Sequence, residues 1–296
     1  MKIIDKSVLT FDKNNEPVAK ADPGEVMLFK PMDCFSNQVL DESTTIDKIN
    51  IDECNPAAGP VYINGAEPGD VLAVEILDIK VAEQGATVIF PGVGPIVDSC
   101  ELRTRVIPVK DGVATFKDVQ WKVNPMIGVI GTCPADEVVP CGHIFHLGGN
   151  MDSHVITKGT TVYFPVEVEG ALLQMGDLHA SMGDGEITGT GIEIPGEITV
   201  NTRLIKQFEL NNPVTEDNDF WYVNTYNVDI GDAIREGLTE MQRLVSNAYG
   251  WDATDTALYF TLQADVQVNQ SCLDGELGNS MRVAVPKVTN KPPLIK

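Results

Sequence analysis

Asp177-Leu-His179, Asn150-Met-Asp152 and Asp184-Gly-Glu186 share one spacing. In an extended strand, residues i and i+2 face the same side, so each pair can aim two donor atoms at one point. Imidazole together with carboxylates is a donor set for divalent zinc, manganese or iron. Glu193 follows on the same glycine-rich stretch, GDGEITGTGIE at 183–193. A solvated acidic turn would account for the acids. It would not account for His179, one of only 4 histidines, at the end of an apolar run. Asp-x-His alone is better explained by a satisfied histidine beside a turn acid; three such pairs on glycine-bearing loops can wrap one or two cations.

Other chemistries fit less well. A phosphate-cradling loop needs positive charge, but no Lys or Arg lies between Lys158 and Arg203. Counting from Asp184 as an EF-hand start, Gly189 falls at the glycine position but Pro195 stands where a glutamate is required. Cys141-Gly-His143 places a thiol near an imidazole, the elements of a cysteine nucleophile and its base. No G-x-S-x-G elbow supports serine chemistry.

Composition narrows the partners. The chain has 296 residues, 43 acids against 21 bases and a net charge of −22. That charge repels nucleic-acid backbones and anionic membrane surfaces. The N-terminal stretch has no apolar h-region, and no segment reaches the length of a membrane span. The 6 cysteines are irregularly spaced, with no C-x-x-C pair. They read as free thiols in a cytoplasmic protein.

The elements that must hold these residues are mostly strands. Segment 70–82 alternates apolar and polar residues imperfectly after a Pro-Gly-Asp turn. Residues 90–97, FPGVGPIV, read as a loop; 101–109, 113–123 and 126–131 read as short strands. Residues 160–168 and 171–175 look like a hairpin turning at Glu169-Gly170, and 187–204 like two strands around Pro195-Gly196. Pro165 and Pro195 should lie at strand ends or edges. Near residue 231 the pattern changes. Ile234, Leu238, Met241, Val245 and Ala248 recur at helical spacing, with Asp232 as start and Gly250 as stop. Asp252 to Asp255 resembles a capping box for a second helix. A final strand is expected near 281–288. The fold class is therefore mainly β (α+β): a β-rich body of sandwich or barrel type over 1–215 carrying the loops, then a smaller α+β part, 216–296, with two helices.

Three stretches, GGNMD (148–152), GTTVYFPVEVEGALLQMGDLHA (159–180) and GDGEITGTGIE (183–193), closely resemble the acetamidase/formamidase family. Weaker echoes are PGDVLAVEILDI (68–79), FPGVGPI (90–96), LVSNAYGW (244–251) and VAVPK (283–287). The resemblance implies hydrolysis of small linear amides, a jelly-roll-like sandwich and a homo-oligomer, expected to be a dimer. Asn150, Asp152, Asp177, His179, Asp184, Glu186 and Glu193 match the family motif. Where the family carries a histidine before the two glycines, this chain has Leu147, with His146 one place earlier.

Chemistry then suggests roles. Asp152, Asp177, His179 and Glu193 are the expected ligands of a divalent metal ion, zinc ahead of calcium or another ion. Glu186 is the expected proton shuttle. Asn150, or backbone N–H groups at Gly148 and Gly149, would stabilise the oxyanion. Asp184 and His146 are supporting candidates, Asp184 by bonding loop N–H groups. The competing readings are a non-catalytic β-sandwich that binds a cation or a sugar, and a cysteine amidase using Cys141.

Overall fold

A computed structural model describes residues 1–272 and 278–296. Most strands belong to two large sheets. The nine-stranded sheet runs, in spatial order, Lys2–Ile4, Met27–Phe29, Gly196–Ile205, Val71–Val81, Thr161–Pro165, Val214–Glu216, Phe220–Asn227, Asn279–Pro286 and Asp265–Gln270. The seven-stranded sheet runs Ile144–Phe145, Gly148–Asn150, Met126–Gly131, Leu173–His179, Ala57–Ile63 and Ser7–Val8, with Ala19–Ala21 also paired to Ala57–Ile63.

The two sheets face each other as a sandwich. Leu72, Val74, Ile76, Phe164 and Ile198 of one meet Val61, Ile127, Ile130, Met175 and Leu178 of the other in a single core. The far side of the nine-stranded sheet is covered as well: Val71, Ala73, Tyr163, Val223 and Val283 pack with Met241, Leu244 and Val245 of helix α1, Ile230–Tyr249. This explains the imperfect alternation in 70–82. A strand covered on both faces has no reason to keep polar residues at every second position.

α1 begins one turn earlier than the Asp232 start. Asp229 is the cap and accepts from Asp232 N at 3.0 Å. Gly250 ends the helix with φ 69°, the left-handed conformation that favours glycine. Asp252 caps α2, Ala253–Gln263, by accepting from Asp255 N at 2.8 Å. Pro165 ends its strand and Pro195 immediately precedes one.

Three strand expectations are corrected. Residues 113–123 are not one strand but a hairpin, Val113–Phe116 paired antiparallel with Val119–Lys122. Thr161–Pro165 and Leu173–His179 are not a hairpin: they lie in different sheets, and the chain crosses the sandwich between them. Residues 187–195 are loop, with one strand, Gly196–Ile205, following. The division near residue 215 falls within strand Val214–Glu216, and the strands after it extend the nine-stranded sheet.

Candidate active site

Met126–Gly131 lies between the two motif strands. Val129 pairs with Asn150 on one side and with Gly176 on the other. The Asn-x-Asp and Asp-x-His segments are thereby held as near neighbours across one strand. Gly128 lies beside them, and a β-carbon there would stand 2.5 Å from Asp152 Oδ1 and 2.6 Å from Asp177 Oδ2. Only glycine leaves room for two carboxylates over this point of the sheet.

The backbone is bent to aim these side chains. Asp152, Asp177 and Glu186 all have positive φ, at 44°, 54° and 42°. Such residues cost on the order of 1–3 kcal/mol each and persist where surrounding structure enforces them, commonly at functional sites. Asp177 and His179 do converge, but through this bend within the strand and not through regular alternation. Glu193 comes from the 187–195 loop, docked by reciprocal backbone bonds between Ala86 and Glu193 at 2.8 Å. Its Oε1 accepts from Gly191 N at 2.7 Å.

His179 Nε2 faces Glu193 Oε2 at 3.1 Å, Asp177 Oδ1 at 3.5 Å and Asp152 Oδ1 at 3.8 Å. Asp152, His179 and Glu186 form one compact donor group; Cys34, Asp177 and Glu193 form a second. All are buried. Burial, followed by the Glu186 and Asp177 carboxylates, pushes the Asp152 carboxyl well above its usual range. Burial also raises Glu186. It lifts Glu193 to about 8. Burial opposes a charged His179, but the Glu193 and Asp177 carboxylates outweigh it and raise the imidazole pKa.

These shifts express one problem. Four carboxylates share a desolvated space with a single imidazole, and like charges there repel strongly. Among the described residues, Asp152 Oδ1, Asp177 Oδ1 and Glu193 Oε2 have no hydrogen-bond donor, nor does His179 Nδ1 have a partner, although buried polar atoms normally find one. The donor set and the unpartnered oxygens fit a divalent cation.

The remaining candidates separate. Asn150 is buried at the cavity wall, its Oδ1 without a partner among the described residues. Asp184 does not bond loop N–H groups. It binds Arg282 through Nη1 at 2.9 Å and Nη2 at 2.6 Å, and His154 Nδ1 at 2.6 Å. His146 bonds Glu167 at 2.7 Å, in a half-exposed pair outside the donor groups. Gly148 and Gly149 are not a turn with free N–H groups; they form a strand paired on both sides. Cys141 is fully buried, with Sγ near Val8 O at 3.6 Å and Gln174 Nε2 at 3.3 Å, and burial pushes its thiol up to about 12. His143 is exposed. The Cys-His nucleophile is therefore not assembled.

Sequence reasoning missed several neighbours. Gln270 Nε2 donates to both Asp152 Oδ2, at 2.6 Å, and Glu186 Oε2, at 2.7 Å. Cys34 and Cys272 line the same cavity. Arg282, the largest fully buried side chain, anchors Asp184 beside Glu186. None lies in a motif, so no local signal marks them. The cavity above the cluster measures about 490 Å³. A larger groove of about 580 Å³ lies between the two helices, away from the acids; the chemistry selects the smaller one.

The model of the acetamidase/formamidase family matches residues 10–143 and 144–253. The chain belongs to the acetamidase/formamidase family. A crystal structure of an acetamidase from Bacillus halodurans superposes with a TM-score of 0.92, at 32% identity, covering 96% of this chain and 97% of that one. A recombinant predicted acetamidase/formamidase from Thermoanaerobacter tengcongensis gives 0.92 at 34% identity, over 96% and 95%. A formamidase of Methylophilus methylotrophus is 27% identical over 266 residues, 67% of this chain and 64% of that protein. The chain thus spans less than two thirds of the length of the curated relatives it matches. This family member is mainly β with a C-terminal helical part, as are the strands and helices described above.

Proposed function

We propose that this protein hydrolyses small linear amides to a carboxylate and ammonia, with a divalent cation held by Asp152, Asp177, His179 and Glu193. The supporting observation is the cluster at the cavity floor: Asp177, Glu186 and Glu193 line the cavity, and behind them Asp152, Asp177 and Glu193 surround the His179 imidazole with carboxylate oxygens that have no hydrogen-bond partner among the described residues. Membership of the acetamidase/formamidase family points the same way. Bound there, a cation such as zinc supplies Lewis acidity, polarising a carbonyl and acidifying water.

The chain's own residues carry the protons. Glu186 lines the cavity with its carboxyl anchored by Gln270. It takes one proton from the attacking water as the new carbon–oxygen bond forms. It returns that proton to the amide nitrogen as the carbon–nitrogen bond breaks, so ammonia leaves and the acid remains. A raised carboxyl pKa suits both halves of this exchange. The Asn150 side-chain amide, at the cavity wall, donates to the oxygen that gains charge.

The test is ammonia release from formamide, acetamide and propionamide before and after chelation, with elemental analysis of the purified protein. Chelation should abolish turnover and zinc should restore it. His179→Ala should lose bound metal. Cys141→Ala should retain turnover. Full activity in metal-free protein, with normal metal content in His179→Ala, would reject the scheme. Cation binding without ammonia release would mark a non-catalytic module. We place the protein in the cytoplasm as a homodimer; its six cysteines are all free, and no described helix is long and apolar enough to cross a membrane.

A further inference from the structure

The cavity is much larger than the smallest amides require. Taking about 30 Å³ for a water-sized group, acetamide fills on the order of 100 Å³ of the roughly 490 Å³ available. The floor is polar, but the walls toward the mouth are not: Leu9, Ile51, Phe90, Val93 and Pro140 line them. Leu9 is 39% and Ile51 48% exposed, apolar surface left open to solvent at the entrance. Val93 belongs to the loop read from FPGVGPIV, which packs against the Glu186 loop; a β-carbon at Gly189 would stand 2.5 Å from Val93 Cγ1. The apolar wall and the acid floor are therefore parts of one packed unit.

Charge sets a second condition. No lysine or arginine lines the cavity among the described residues, while Asp52 joins the floor carboxylates along its wall. Toward the mouth, an acyl group carrying its own carboxylate would meet Asp52 with no lysine or arginine to pair it, His143 being the one described lining residue there able to carry positive charge.

From this cavity we infer that the preferred substrates are neutral primary amides with an apolar acyl group of several carbons or one ring, seated against Ile51, Phe90 and Val93. The inference rests on the amide-hydrolase reading above and specifies its substrate class. Burying methylene groups against such walls favours the longer substrate, and a few of them amount to tenfold or more in specificity.

The experiment measures kcat/KM on the zinc-supplemented protein for acetamide, hexanamide, phenylacetamide and succinamate, whose acyl group bears a carboxylate. Hexanamide and phenylacetamide should exceed acetamide by about tenfold or more, and succinamate should fall below it. Ile51→Asp, at an exposed position that folding tolerates, should lower the hexanamide-to-acetamide ratio several-fold, as should Val93→Ala. A kcat/KM that falls steadily from acetamide upward, or a ratio unmoved by both variants, overturns the inference while acetamide turnover upholds amide hydrolysis. Absence of ammonia from every amide overturns both.

Discussion

A β-carbon on Gly128 would stand 2.6 Å from Asp177 Oδ2, well inside van der Waals contact. The absence of a side chain on one strand is what lets a carboxylate sit over it from the next. Gly128→Ala should therefore displace Asp177 and Asp152 together. The cost in stability should be about 1–3 kcal/mol, read as a lowered melting temperature. Zinc affinity, read by calorimetry, should weaken by ~10-fold or more, as when groups supporting a metal ligand are altered. Wild-type affinity in Gly128→Ala would separate this glycine from the site.

Gln270 joins Asp152 and Glu186 through a single amide nitrogen. Gln270→Leu removes the donor that both buried carboxylates use, at about 1–3 kcal/mol. Turnover of acetamide should fall by one to two orders of magnitude. Gln270→Glu adds another acid to the cluster and should be worse than Gln270→Leu in metal-free protein. The comparison is made by thermal melts with chelator and by steady-state kinetics with zinc.

Stripped of cations, the protein should lose stability as pH rises. Burial lifts the folded-state pKa of Glu193 from 4.5 to about 8, and Asp152, Glu186 and His179 are raised as well. Between those values the folded chain binds more protons than the unfolded chain, so unfolding free energy falls with pH. Melting temperature in chelator should drop from pH 4.5 toward pH 8, the Glu193 window. Zinc should reverse the loss at the upper end, since its ligands bind deprotonated. A melting temperature flat across that range would contradict the packing of acids described above.

Asp184 titrates in the opposite sense. Burial raises its carboxyl, but bonds from His154 and Arg282 overcome this and bring it to about 2. Its stabilising contribution is present above the ordinary value of 3.8 and is lost as pH falls toward about 2. Asp184→Asn should flatten the acid limb of the stability curve and leave Arg282 buried without its counter-charge. Acid titration followed by circular dichroism, wild type against variant, reads the difference.

Local patterns carried far into the fold. Helical spacing from Ile234 to Ala248 named α1, and Gly250 named its end, because both depend on neighbours in sequence. Strand Met126–Gly131 was legible for the same reason. The supposed hairpin over 160–175 was not, because the choice between turning back and crossing to the other sheet is made by partners such as Val71–Val81 and Ala57–Ile63. Val214–Glu216 and Phe220–Asn227 went unread, as their pairing is settled only within the assembled sheet.

The sequence by itself determined which residue types bear the chemistry: acids and one histidine on glycine-bearing segments with i, i+2 spacing, in a pattern shared with one family. Tertiary structure alone decided which of them meet. Met126–Gly131 sets Asn150 and Gly176 on either side of Val129, Gly128 opens space for two carboxylates, and Gln270 and Cys34 arrive from distant strands and loops. It also sent Asp184 to Arg282 and His146 to Glu167. Spacing along a chain constrains the direction of side chains only within one element; which elements become neighbours depends on burying apolar surface across the whole sandwich.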